Sequence, residues 1–208
     1  KNGIYKEFDA DKIFDIRYFR RVPSYYYPHA KDFIYNLEEK QPSLVHRECA
    51  RLEERGLVKA VITQNIDLLH QKAGSRHVIE VHGSPQTHHC LHCGAVYPFE
   101  WAARLVRQDE IPECIHCGGV VKPDITFFGE QLPEAAVTKA IEEASAADWL
   151  IILGSSLVVQ PAASFPLYTL RQGGRLVIVN DGKTPLDHHA TYRFHDLETI
   201  FAAIQEKV

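Results

Sequence analysis

Between Val61 and Gly83 an apolar chain gives way twice to polar residues, and the polar types are ones that do chemistry. The first apolar run, over 59–63, ends in Gln64-Asn65-Ile66-Asp67, which offers two amides and a carboxylate within four positions. A buried parallel strand delivers side chains to a site at its carboxyl end in this way. The second run, Val78-Ile79-Glu80-Val81, delivers the acid–base group His82, followed by Gly83, which lets a ligand or another chain approach closely. The same residues have plainer uses. Asn and Asp after a strand form turns or cap helices, and a histidine beside a glycine is often structural. Spacing leaves both readings open.

A second constellation follows at once. Cys90-Leu91-His92-Cys93 and Cys114-Ile115-His116-Cys117 are two C-x-x-C knuckles with 20 residues between them. That spacing is the spacing of a four-cysteine zinc site. Four thiolates fill a tetrahedral ion and leave no position for water, so one zinc held by Cys90, Cys93, Cys114 and Cys117 is structural and not catalytic. The rivals are two disulfides or a redox C-x-x-C. Duplication of the knuckle, with glycine after Cys93 and Cys117, favours metal. His88, His89, His92 and His116 could substitute as ligands, but their plainer reading is as exposed polar residues.

The elements that must position these groups alternate between strand and helix. Residues 1–35 are rich in aromatics, Tyr5 and Phe8 through Phe33 and Tyr35, and Pro23 and Pro28 break them into short helices that pack rings on a core. Ser43 caps a helix over 43–55 whose apolar face is Val45, Cys49 and Leu52, and Gly56 closes it. Cys49 reads as core. Residues 97–109 hold the strand and short helix of the cysteine module. An amphipathic helix over 133–147 buries Val137, Ala140, Ile141 and Ala144. Trp149-Leu150-Ile151-Ile152-Leu153 is a buried strand ending in Gly154-Ser155-Ser156, whose small residues let backbone amides meet a phosphate or ribose. Leu157-Val158-Val159 continues as an extended piece, followed by a helix to about Arg171. Leu176-Val177-Ile178-Val179 is another buried strand, ending in Asn180-Asp181. Asp196 caps a last helix with the face Leu197, Ile200, Phe201 and Ile204.

This order predicts an α/β fold: a doubly wound parallel, Rossmann-like sheet with an inserted small zinc-ribbon module. The nucleotide-binding domain is expected over 1–86 and 121–208, the zinc module over 87–120, with about 1–42 adding helices to the small domain. Three strand ends, at Gln64-Asn65, Gly154-Ser155-Ser156 and Asn180-Asp181, fall on the edge where such sheets bind a nucleotide.

At 208 residues with 45% apolar and 24% charged composition, the chain can bury a sizeable core. A net charge of −4 without a lysine/arginine cluster argues against nucleic acid as the main partner. No apolar run approaches the roughly 20 residues of a membrane span. The sequence begins at Lys1 and holds no methionine, so residues ahead of Lys1 are expected to have been cleaved, engineered away or left out. Free thiols on zinc suit a reducing cytoplasm.

Taken in order, Thr-Gln-Asn-Ile-Asp-x-Leu-His-x-x-Ala-Gly, His-Gly, the two knuckles, Phe-Gly-Glu, Gly-Ser-Ser-Leu-x-Val-x-Pro-Ala and Val-Asn resemble the sirtuins, NAD-dependent protein-lysine deacylases. The resemblance runs from about Asn2 to the C-terminus. It implies that His82 is the catalytic base, with Asn65 and Asp67 beside it. Gln64, Asn65, Ile66 and Asp67 would hold the nicotinamide end and nearby ribose, Gly154, Ser155 and Ser156 the nucleotide, and Asn180 and Asp181 the adenosine side. Asp196 would serve either the adenine side or only its helix. The four cysteines match the zinc ligands. Thr126 would line the acyl tunnel. Phe128-Gly129-Glu130 and Leu157-Val158-Val159 match the edges between which an acetylated-lysine protein or peptide lies as an added strand. The implied reaction starts with attack of the acyl oxygen on C1′ of the nicotinamide ribose, a weak nucleophile made adequate by placement. His82 then takes a ribose hydroxyl proton. The products are lysine, nicotinamide and O-acyl-ADP-ribose.

Two departures shape the expectation. The family opens with a strand, a Gly-Ala-Gly-x-Ser phosphate loop and an Asp-Phe-Arg loop, none of which is in this sequence. The natural protein is therefore expected to carry them ahead of Lys1. Relatives that prefer acidic acyl groups carry Tyr-x-x-Arg, whereas Tyr27 here is followed by Ala30, which favours acetyl or other neutral groups. Two other outcomes stay in view: an NAD glycohydrolase or ADP-ribosyltransferase using the same pocket, and a non-catalytic ADP-ribose or zinc-ribbon module. The peptide-edge motifs argue against the first, and a base at His82 against the second.

Overall fold

A computed structural model describes residues 10–207; Tyr5, Phe8 and the start of the resemblance near Asn2 lie outside the described residues. Along the chain come α1 (Ala10–Ile13), α2 (Ile16–Arg21), α3 (Pro23–Ala30), α4 (Leu44–Glu54), β1 (Val61–Thr63), α5 (Leu69–Lys72), β2 (Val78–Glu80) and β3 (Gly83–Cys90). They are followed by β4 (Val96–Pro98), α6 (Phe99–Arg107), β5 (Val121–Ile125), α7 (Glu134–Ala146), β6 (Trp149–Leu153), α8 (Phe165–Arg171), β7 (Arg175–Val179), β8 (Ala190–Phe194) and α9 (Leu197–Lys207). These form two compact units. One holds the described residues through Gln41 with Asn65–Leu68 and His82–Pro133; the other holds Pro42–Gln64, Leu69–Val81 and Glu134 onward.

The first unit is built on an antiparallel sheet in the order β4-β3-β5. Its register pairs Gly83 with Ile125 at one end and Cys90 with Val121 at the other, with a register shift between Ser84 and His88. At the Gly83 end the strands nearly touch: a Cβ on Gly83, whose φ is +78°, would lie 2.1 Å from the Asp124 carbonyl oxygen. Against this sheet packs the aromatic core: Phe19, Tyr26, Tyr27, Tyr35 and Phe127 are buried together with Phe99, Ala102, Ala103 and Val106 of α6. Edge-to-face rings hold it, Phe19 on Phe127 at 5.4 Å and Phe14 on Phe127 at 5.6 Å between centroids.

Two local expectations change here. Pro28 does not break its helix but sits inside α3. It lies two residues from that helix's end, where it removes one backbone bond, and burial of Tyr26, Tyr27 and Ala30 offsets the loss. His88 is not an exposed polar residue. It is fully buried, with Nε2 3.0 Å from the Tyr35 hydroxyl, and burial pushes its imidazole down to about 4. Tyr27 and Ala30 are both core, and the Tyr27 hydroxyl donates to the Val121 carbonyl.

The second unit holds the parallel strands, as the alternation of elements predicts. They form two sheets among the described residues: β1 pairs with β2, Val61 opposite Val78, and β6, β7 and β8 lie in that order, with Trp149 opposite Arg175. The helices are as read. Ser43 precedes α4, its N–H donating to His46 Nδ1 at 3.2 Å, and Cys49 is buried, its thiol pushed up to about 11 by desolvation. Ala140 and Ala144 of α7 pack with Ile79, Val81 and Phe165. The strand β6 is buried on one side: Ile152 joins a core with Leu176 and Ile178, whereas Trp149 and Ile151 on the other face are 42% and 51% exposed. Trp149 there stacks on Tyr192 of β8 and lies beneath Arg175.

Replacing Gly83 with Ala should cost about 3 kcal/mol or more, since both the positive φ and the Asp124 carbonyl oppose a Cβ. Gly94, at φ +72° with open space around it, should lose only about 1 kcal/mol. Urea unfolding of both variants measures the difference; equal losses would show that the close approach of β3 and β5 is not a constraint.

Candidate functional site

The polar burst after β1 begins in the second unit and ends in the first. Gln64 is half-buried, and its side-chain amide lies 3.5 Å from the Ser155 hydroxyl, so two residues distant in sequence meet beyond the ends of β1 and β6. In the first unit, Asn65 Nδ2 donates to Asp67 Oδ2 at 3.3 Å, and Ile66 packs on the aromatic core. Leu68 has a φ of +59°, a conformation costly for a residue with a Cβ, which turns the chain sharply after Asp67.

His82 is placed by its neighbours on both sides. Val81 before it is fully buried, and its N–H donates to the Thr63 carbonyl at 3.0 Å. Gly83 after it is locked against β5. The His82 carbonyl accepts from the Thr126 N–H at 2.7 Å, so backbone bonding continues past the named strand end. The chain then reaches the turn 127–130. The paired phenylalanines separate: Phe127 fills the core, whereas Phe128 is 56% exposed. Phe128 is pinned through its backbone, its N–H donating to Phe14 O at 2.6 Å and its carbonyl accepting from Ile16 N at 3.2 Å. Gly129, at φ +93°, makes the turn, and Glu130 N donates to Phe127 O at 3.0 Å.

The second unit gathers small and polar residues at the carboxyl ends of β6 and β7. Gly154 has a φ of +62°, and its N–H donates to Val179 O at 2.9 Å. A Cβ there would lie 3.5 Å from Leu197, which brings the residue beside Asp196 next to this turn. Ser155 Oγ accepts from Leu157 N at 3.3 Å, and Ser156 is exposed. Leu157 is buried in the strand core, while Val158 and Val159 are exposed. Asn180 Nδ2 donates to Gly182 O at 2.9 Å, and Asp181 is exposed. Asp196 caps α9: its carboxylate accepts from the N–H groups of Glu198 and Thr199 and the Thr199 hydroxyl, and these bonds hold it below the usual carboxylate range. Glycine at positive φ beside serine at a strand end suits close approach of a nucleotide's phosphates and ribose.

The four cysteine sulfurs converge, all lying within 4.8 Å of one another. Across the knuckles, Cys90 and Cys117 sulfurs are 3.5 Å apart, as are those of Cys93 and Cys114. A disulfide needs about 2.05 Å, whereas a tetrahedron of roughly 2.3 Å zinc–sulfur bonds separates its sulfurs by about 3.8 Å. The donor set and spacing fit zinc. Thiolate character is supported from around the site: the Tyr97 hydroxyl donates to Cys114 Sγ at 3.0 Å, and the His116 and His92 N–H groups point at Cys114 and Cys90 at 3.4 Å. Burial works against the Cys114 thiolate, but these bonds outweigh it and bring the thiol to about 6. His92 and His116 are exposed, as expected. Sequence reasoning missed Tyr97 as a supporting group, since its spacing to the cysteines carries no signal. It also missed Lys122, a charge within β5 directly after Val120 and Val121.

Comparison with known proteins gives a consistent picture. A family model described as Sir2 family matches residues 1–161. A protein of Thermotoga maritima named NAD-dependent protein deacetylase is 46% identical over 194 residues, which is 93% of this chain and 78% of that protein. The solved structure of Sir2Tm bound to a propionylated peptide superposes with a TM-score of 0.90 at 44% identity, covering 97% of this chain and 85% of that one. A Sir2 structure with deacetylated p53 peptide and 3′-O-acetyl ADP ribose gives 0.92 at 44% identity, covering 99% and 84%.

Metal analysis should find one zinc per chain. Tyr97→Phe, which removes the hydroxyl from Cys114, should weaken zinc retention about tenfold in competition with a chromogenic chelator; unchanged retention would show that this contact does not support the site.

Proposed function

The chain belongs to the Sir2 family, and from that premise we propose that it is an NAD-dependent protein-lysine deacetylase, passing the acyl group of acetylated-lysine proteins or peptides to ADP-ribose and releasing nicotinamide. The observation that carries this is identity of 46% across 93% of the chain to a protein of that name. When bound, NAD supplies an ADP-ribosyl group that accepts the acyl oxygen as nicotinamide departs. The remaining work belongs to the protein's own residues.

In this reading His82 is the base that takes a proton from a ribose hydroxyl. Its backbone, bonded to Thr126 and followed by a locked glycine, supports such a role, because a base must be held to a fraction of an ångström. Asn65, with Asp67 bonded to it, orients the reacting ribose, and Gln64 and Ile66 border the nicotinamide end. Gly154, Ser155 and Ser156 receive the phosphates and ribose, with Asn180, Asp181 and Asp196 toward the adenosine side. Thr126 borders the acyl-lysine. Phe128, Gly129 and Glu130 form one edge for the peptide, and Leu157, Val158 and Val159 another, Leu157 through its backbone, since its side chain is core. Cys90, Cys93, Cys114 and Cys117 hold one zinc that takes no part in the reaction, within a module over 87–120 inserted between nucleotide-binding segments 1–86 and 121–208. No helix among the described residues is long and apolar enough to cross a membrane, and four zinc-bound thiols suit a reducing cytoplasm.

Substituting His82→Ala should lower kcat/KM for an acetylated peptide by about 10³, with zinc content and melting temperature unchanged. Turnover within threefold of the parent would remove His82 from the chemistry.

A further inference from the structure

Lys122 is a charged residue at the heart of the first unit that the reaction does not use. Its side chain is 2% exposed. Placing an ammonium there is expensive unless its bonds are satisfied, and an apolar side chain would serve the core as well or better. What its three protons reach is therefore informative. The ammonium donates to Ile125 O at 2.7 Å and Pro123 O at 3.1 Å, lies 2.9 Å from Glu130 Oε2, and sits 4.2 Å from the centre of the Phe127 ring. Every partner lies on β5 or on the turn that follows it.

The contact with Glu130 closes that turn. The oxygen that meets Lys122 also accepts the Phe127 N–H at 2.8 Å, while Glu130 N donates back to Phe127 O at 3.0 Å. The Glu130 side chain is 25% exposed, so without the ammonium its carboxylate is free to rotate into water. Phe127 N–H would then lose its acceptor, and the exposed tip at Phe128 and Gly129 would lose the support beneath it. Thr126, between the residue whose carbonyl Lys122 grips and the start of the turn, is the one that bonds His82. The ammonium thus ties the turn to the same stretch of backbone that holds the candidate base.

We propose that Lys122 is a positioning residue for peptide binding: through Glu130 it holds the turn 127–130 in the shape that receives the acyl-lysine peptide. This rests on the reading of Phe128, Gly129 and Glu130 as a peptide edge. A turn already ordered spares the peptide the cost of ordering it, so loss of the ammonium weakens peptide binding and leaves NAD handling alone.

Steady-state kinetics on the parent, Lys122→Met and Lys122→Arg test this. The expected result is a peptide KM raised about tenfold in Lys122→Met, with kcat, the KM for NAD and zinc content within twofold of the parent, and with Lys122→Arg restoring peptide KM to within threefold. A purely structural role would lower kcat by shrinking the folded fraction and leave the peptide KM within twofold; that result overturns the proposal. Should Lys122→Met not fold, Lys122→Gln, which keeps a polar donor for the two carbonyls but carries no charge to hold the Glu130 carboxylate, is read against the parent by the same criterion. No deacetylation by the parent overturns both this inference and the functional reading, whereas parental turnover with an unmoved peptide KM overturns this inference alone.

Discussion

The pairing of β3 with β5 is the constraint on which the first unit depends. At one end Gly83 lies against the Asp124 carbonyl and His82 accepts from Thr126; at the other, Cys90 pairs with Val121 and the chain enters the first knuckle. One ladder, on the order of 25 Å for eight extended residues, joins the candidate base to the cysteine cluster. A closed four-sulfur site cannot do chemistry, but it can hold the end of a ladder whose other end carries the proposed base. That gives the metal a physical reason to be present in an enzyme that does not use it in the reaction.

The same unit accommodates unusual polarity in its core. His88 meets the Tyr35 hydroxyl, Tyr27 meets a backbone carbonyl, and Lys122 meets two carbonyls and a carboxylate. Buried polar groups are tolerated when bonded and costly when not, so each of these pairs restricts the core to one arrangement. Apolar packing alone would be more forgiving. Around a turn and a histidine proposed to bind and act on a peptide, restriction is the useful property.

Elements with strong local signals were legible in the sequence. Ser43 and Gly56 bracket α4, the alanine face of α7 repeats at helical spacing, and two C-x-x-C pairs announce their own geometry. The strands β3 and β8 were not legible. Gly83-Ser84-Pro85-Gln86-Thr87-His88-His89-Cys90 has neither an apolar run nor clean alternation, because its partners are a histidine-bonding tyrosine, Asp124 and the cysteine cluster. β8 exposes Tyr192 and Phe194 and is specified by its pairing with β7. His88 and Lys122 look like surface residues by type, and their burial depends on partners far away in sequence. For the site, the residue types at the strand ends pointed to a nucleotide, and the roles proposed for single residues came from motif order. Sequence could not show that Gln64 meets Ser155, or that Leu157 spends its side chain on the core.

The most direct test of the account is product analysis by mass spectrometry after incubating the protein with an acetyl-lysine peptide, with and without NAD. The account predicts deacetylated peptide only when NAD is present, with nicotinamide and O-acetyl-ADP-ribose formed in equal amounts to it. Consumption of NAD without deacetylation, or deacetylation that yields free acetate without NAD, would contradict it.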